Sequence, residues 1–268
     1  VLVLLFGVAA ALRLAVANGY LMLPIEARLA IISVFALLGL GLGWRERLAK
    51  PAFALSLQGG ALGVLLLVVF AAFKLYGLLP AGMALGLVVV LVAGAALLAV
   101  LQDAMALAVL GFLGGYLAPV LISTGSGNHV ALFSYYAVLN AAVFAVSWQR
   151  AWRLLNLIGF VFTFGITSLF RVTSYTPDQR VSTAAFLLLF FLLYVGISIL
   201  FSLRQKLQLR GYVSGSLVFG LPVAAFGLYS SLVEGIPHAL AWSALAMGAF
   251  YLLLAWALRR SGMQGLRL

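Results

Sequence analysis

Cysteine is absent from this chain of 268 residues, which excludes disulfides and thiolate metal centres. Histidine occurs twice and Asp plus Glu only five times. That is too few for a multi-ligand metal centre, and it weighs against a hydrolytic triad, so no metal and no cofactor are expected. Charged residues make up 8% of the chain, against roughly 25% in soluble domains. A net charge of +11 invites a nucleic-acid reading. However, the basic residues stand in ones, twos and threes between apolar runs, as in the loops of membrane proteins. Nucleic acid is therefore not an expected partner. The opening stretch 1–17 lacks the charged start and cleavage site of a signal peptide, and the chain reads as an excerpt of a longer protein.

What is present is apolar: hydrophobic residues reach 66%, against roughly 45–50% in soluble proteins. No soluble fold of this length has an interior large enough for that surface, so lipid must be the solvent and the bilayer the first partner. Apolar runs of about 17–22 residues recur from end to end, matched to roughly 30 Å of hydrocarbon. The expected spans are 1–17, 28–43, 52–73, 81–101, 104–122, 130–148, 154–171, 182–203, 212–233 and 239–258. Backbone groups cannot go unpaired in lipid and these runs do not alternate, so they are helices, not barrel strands. The reading is an all-α, polytopic bundle of about ten transmembrane helices, forming one multipass domain over 1–268.

Charge orients it. Alternate connections and the tail hold Arg45, Arg47, Lys50, Arg150, Arg153, Arg204, Lys206, Arg210, Arg259, Arg260 and Arg267; the opposite set holds Arg28, Lys74, Arg171 and Arg180. The richer set is cytoplasmic by the positive-inside rule, which places both termini in the cytoplasm and the loop 123–129 outside. Trp44, Trp148, Trp152, Tyr20, Tyr76 and Tyr175 fall at span ends, where amphipathic rings suit the headgroup level. Pro222 is expected to kink its helix and Pro119 to bend or end its own. AAFKLY at 71–76 and AAFGLY at 224–229 match at five of six positions, as a parallel internal repeat or as the chance of a biased composition.

Several residues stand out against this background. Gly111, Gly114 and Gly115, with Pro119 beyond them, either let a neighbouring helix approach closely or mark an unwound segment beside a cavity. Asp103 caps the following helix through its free N–H groups, or relays a proton. The segment Ser123-Thr124-Gly125-Ser126-Gly127-Asn128-His129 is a turn capping the next helix through Ser126 or Asn128, or a ligand nest using Asn128 and His129. Gln58, Asn140 and Asn156 are amides in or near spans, bonded to another helix or lining a ligand slot; Gln58 precedes Gly59-Gly60, which leaves room for a bound group. Arg13, Lys74 and Arg171 lie at outward helix ends, either snorkelling to headgroups or converging on an anionic group.

LQDAMALAVLGFLGGYLAPVLISTGSGNHVALFSYYAVLN, followed by WRLLNLIGFVFTFG, resembles the bacterial predicted membrane proteins of the domain of unknown function 2339. LRLAVANG, ALSLQGGALGVLLLVVFAAFKLYGLLP and FLLLFFLLYVGISILFSLR extend the resemblance over nearly the whole chain. It implies a long multipass protein of the bacterial inner membrane and carries no activity over to any residue. Three functional classes follow: a transporter-like or binding protein for a small or envelope-derived solute, an envelope scaffold, or a transferase acting on lipid-linked substrate. For the transferase, His129, Asp178, Glu26 and Glu234 are the outward acid–base groups, and none stands in a catalytic arrangement. An anionic lipid or envelope precursor is the candidate ligand.

Overall fold

An apolar segment that must satisfy its backbone internally becomes a helix, and the chain does this repeatedly. The computed structural model describes residues 23–122, 128–150, 152–205 and 212–260; the expected first span and Arg13 lie outside them. Among the described residues there are nine α-helices: α1 (Ile25–Glu46), α2 (Pro51–Phe70), α3 (Ala81–Gln102), α4 (Met105–Leu121), α5 (His129–Gln149), α6 (Arg153–Thr173), α7 (Arg180–Gln205), α8 (Tyr212–Leu232) and α9 (Ala239–Arg260). The expected boundaries of these nine differ by a few residues at most. Seven segments are long and apolar enough to cross a membrane by length and composition. α4 and the stretch Gly220–Leu232 of α8 are shorter apolar segments.

Local chemistry sets the helix starts and stops. Pro24 and Pro80 precede α1 and α3, and Pro51 opens α2, positions where a missing N–H and a fixed φ cost nothing. Pro119 lies two residues before the end of α4, while α8 continues through Pro222. Asp103 ends α3 in the left-handed region at φ 53°, and a two-residue connection then starts α4. The Asp103 side chain does not cap α4: Ala104 holds the N-cap position and no side chain bonds there. The left-handed turn presents the carboxylate to Arg150 instead, 3.2 Å away. AAFKLY and AAFGLY differ in backbone, since 71–75 form a π-turn at the end of α2 and 224–229 continue an α-helix.

Connections alternate between two ends of the bundle. The Asp103 end carries 47–50, 103–104 and 150–152; the Thr176 end carries 76–80, 122–128, 174–179 and 233–238. α4 is central, packed against α2, α3, α5 and α6, while α5 and α6 also pack against α7 and α8 respectively. At 17 residues α4 is about 25 Å long, short for a full span. α1 packs on α2 and leaves Phe35, Leu37 and Leu38 exposed; α9 touches α7 through Phe250 and Tyr251 on Phe191 and exposes Trp242 and Leu252. These apolar outer faces are what a hydrocarbon solvent requires.

Close packing around α4 comes from small residues. A Cβ on Gly111 would lie 2.6 Å from Ala95 Cβ, on Gly114 2.5 Å from Leu66 Cδ1, and on Gly115 2.7 Å from Val92 Cγ2. Buried Ala84, Val88, Val92, Ala95 and Ala99 make a stripe at three- and four-residue spacing along α3, and its Ala95 and Val92 meet Gly111 and Gly115.

Candidate functional site

Polar side chains inside the bundle need partners, because an unpaired one in a water-free interior costs several kcal/mol, of order 1–3 by mutational measures. The largest such group surrounds Asn140. Its Oδ1 accepts from the Tyr116 hydroxyl at 2.7 Å and the Tyr194 hydroxyl at 2.8 Å. Thr163 Oγ1 lies 2.9 Å from Asn140 Nδ2, which donates to it, and 3.0 Å from Oδ1. All four residues are at most 1% exposed. They come from α4, α5, α6 and α7, so one amide ties four helices. The Tyr116 ring is held between Tyr136 and Phe162, at 5.8 and 5.6 Å between centroids.

Gly159 makes the space for this knot. A Cβ there would fall 2.5 Å from the Tyr194 hydroxyl and 2.9 Å from that of Tyr116. Two further phenols brace α5 on α4: Tyr135 donates to Gly115 O at 2.7 Å and Tyr136 to Tyr116 O at 2.8 Å. With two phenols and a threonine around one carbonyl oxygen, the acceptor capacity of Asn140 is filled. The arrangement suits a clamp.

α5 and α6 run antiparallel, and their facing residues recur every seven positions. Phe133 meets Phe170 edge to face at 5.2 Å, Asn140 meets Thr163, and Ser147 donates to Asn156 Oδ1 at 2.6 Å. Seven residues make two helical turns, so the pairs stack along one seam. Asn156 is fully buried and its Nδ2 has no partner.

Gln58 lies towards the Asp103 end. Gln102 Nε2 donates to Gln58 Oε1 at 2.9 Å, and Gln58 Nε2 has no partner although the residue is fully buried. The glycine against this amide is Gly43 of α1, where a Cβ would lie 2.6 Å from Gln58 Cγ; Gly60 faces open space and Gly59 meets only Leu110 at 3.8 Å. Arg150 also reaches Val100 O at 3.4 Å while pairing with Asp103.

At the Thr176 end, Asn128 caps α5, its side chain accepting from Ala131 N–H at 3.0 Å. Residues 123–127 lie outside the described set. His129 shares a 2.7 Å hydrogen bond with Ser182 and stacks on Phe170 at 5.8 Å. Arg171 donates to Ser231 O at 2.9 Å, and its guanidinium carbon sits 4.4 Å over the Tyr175 ring. Lys74 belongs to the π-turn of α2, which packs among α1, α3 and α4, whereas Arg171 is on α6 among α4, α5, α7 and α8. The two helices share α4 as a neighbour and do not pack closely on each other. Gln58 and His129 are at opposite ends.

Tyr116, Thr163, Tyr194, Ser147 and Gln102 were not singled out by sequence reasoning, although each takes part in these clusters; nor were Arg180 and Thr183, whose Nε and Oγ1 are buried without a partner. The seven-residue spacing of Asn140 with Ser147, and of Asn156 with Thr163, is the one sequence signal that points to a shared seam. Among the described residues no three His, Asp or Glu side chains are grouped to hold a metal ion.

A family profile described as "Predicted membrane protein (DUF2339)" matches residues 1–268. No protein with a curated description and no solved structure matches the chain.

Proposed function

This chain belongs to the DUF2339 family of predicted membrane proteins, and from that premise we propose that it is a transporter-like or binding protein for a small or envelope-derived polar solute. The observation that supports this reading is a set of buried hydrogen-bonding atoms without partners on both sides of a saturated centre. Gln58 Nε2 and Asn156 Nδ2 lie between the Asn140 knot and the Asp103 end; Arg171 Nε, Tyr175 OH, Arg180 Nε and Thr183 Oγ1 lie beyond it towards the Thr176 end. Native bundles leave few such groups, and those that persist mark water or a ligand. Charge asymmetry supports a cytoplasmic Asp103 end, and the membrane proposed is the bacterial inner membrane.

Because the sequence lacks cysteine, single Gln58→Cys and Asn156→Cys variants give a direct test with a polar, membrane-impermeable maleimide. A solute route predicts labelling from the Asp103 side, and slower labelling in the presence of the right solute. A second reading, an envelope scaffold, draws on the saturation of the Asn140 knot. It predicts that neither cysteine reacts until the bundle is unfolded.

A further inference from the structure

Four of the six buried side-chain nitrogen or oxygen atoms that lack a partner fall within residues 171–183: Arg171 Nε, Tyr175 OH, Arg180 Nε and Thr183 Oγ1. The geometry points to a binding site for a phosphate-type oxyanion at the Thr176 end, built from these four residues. The site deepens the binding reading by naming the ligand class.

All four atoms can donate, and two of them can only donate. An arginine Nε–H donates and cannot accept, and threonine and tyrosine hydroxyls can donate as well. Two of the four side chains carry a permanent positive charge. Neither arginine is paired with a carboxylate among the described residues. The acidic residues of this end, Glu26, Asp178 and Glu234, are all exposed; Glu26 opens α1 and the other two belong to connections. A donor-rich, cationic group in which a single backbone carbonyl, Ser231 O, accepts from Arg171 is complementary to an anion with several oxygens.

The fold gathers these residues. His129 on α5 stacks on Phe170, the neighbour of Arg171, and bonds Ser182, the neighbour of Thr183 and two residues beyond Arg180. The starts of α5 and α7 and the last turn of α6 are thereby drawn together. Arg171 is further held by Ser231 O on α8 and by the Tyr175 ring, so part of its donor set is already oriented before any ligand arrives. Thr183 is 2% exposed and lies one helical turn from Arg180 on α7. Snorkelling to headgroups explains exposed guanidinium tips; it does not explain buried Nε atoms with nothing to bond. The turn 174–179 above them is largely exposed and gives a ligand access. Donors on two helices and the connecting turn suit a tetrahedral phosphate better than a planar carboxylate, which one arginine fork can satisfy alone.

The phosphate belongs to a lipid headgroup or to a free solute, and the test separates them. The protein is purified in a non-ionic detergent, and its unfolding temperature is followed with inorganic phosphate against chloride at equal ionic strength. The same measurement is made in nanodiscs containing phosphatidic acid or phosphatidylcholine alone. Stabilisation by inorganic phosphate identifies a free anion; stabilisation by phosphatidic acid alone identifies the lipid. In either case Arg171→Gln with Arg180→Gln should weaken the apparent affinity by about tenfold or more, the scale of a lost charged donor. Equal stability in phosphate, phosphatidic acid and their controls overturns the site, and so does a shift of undiminished size in the double variant. If that variant does not fold, Thr183→Val removes one hydroxyl at nearly constant volume; undiminished ligand response there also overturns it. Cysteine labelling at Gln58 does not involve these residues. A bundle that labels at Gln58 but ignores phosphate therefore loses this site and keeps the binding reading.

Discussion

Asn140 on α5 and Thr163 on α6 face each other with Nδ2 2.9 Å from Oγ1, both almost wholly buried. The pair holds the middle of a seam whose other rungs are Phe133 with Phe170 and Ser147 with Asn156. Because the Asn140 carbonyl also takes the Tyr116 and Tyr194 hydroxyls, removing the amide strands three groups at once, whereas removing the threonine strands one.

Asn140→Leu is therefore expected to destabilise the bundle by about 2–4 kcal/mol, from stranded hydroxyls at roughly 1–3 kcal/mol each with partial relief by rearrangement. Thr163→Val should cost about 1 kcal/mol. Unfolding of purified variants in detergent checks the order. If Thr163→Val costs as much as Asn140→Leu, the amide is not the hub.

Glycines give a second contrast. Gly159→Ala pushes a methyl into the Tyr194 and Tyr116 hydroxyls, and Gly115→Ala into Val92 and Leu139; each is expected to cost about 1–3 kcal/mol by overpacking. Gly60→Ala and Gly63→Ala meet nothing within 4 Å and should be neutral or gain up to about 1 kcal/mol from helix propensity. Folded yield and unfolding temperature measure both pairs. Equal losses at all four positions would refute the packing account.

The helix positions were legible in the sequence because lipid leaves an apolar run only one backbone solution, and the run 81–101 became Ala81–Gln102 for that reason. Asn140 and Gln58 were legible as polar residues within such runs. Their partners were not, since Tyr116 and Tyr194 look like any of the ten tyrosines until helix register brings their hydroxyls to one oxygen. Asp103 misled for a local reason: a side chain before a helix suggests a cap, but the left-handed turn at that residue aims it at Arg150. The π-turn at 71–75 has no signature in AAFKL that sets it apart from the α-helical copy at 224–229.

The Asp103–Arg150 pair is half exposed, with side-chain exposures of 62% and 40%, so solvent screens it. Asp103→Asn keeps a side chain that tolerates the left-handed conformation and should change stability by less than about 1 kcal/mol. A proton relay would instead show abolished function with unchanged folding. Comparing unfolding with the solute-dependent labelling of Gln58→Cys distinguishes the two.

Orientation decides which compartment each end of the bundle serves. The sequence assigns eleven basic residues to the connections and tail expected on the Asp103 side, against four on the opposite side, with Arg13 inside the first expected span. That bias favours a cytoplasmic Asp103 end, and it leaves Arg171 and Arg180 among the few cations placed against the trend. Reporters fused after Lys50 or Arg153 are expected to read cytoplasmic, and reporters after Gly127 or Pro177 to read external. The alternation of helices makes the four readings interdependent: if the 17-residue α4 does not cross, the three readings beyond it reverse together while the Lys50 reading holds, whereas four reversed readings invert the whole bundle. Inversion would turn the Arg171–Thr183 cluster to the cytoplasm. The same donors would then face the compartment where soluble phosphate esters are plentiful, so a response to phosphatidic acid but not to inorganic phosphate would fit an external cluster better than an internal one.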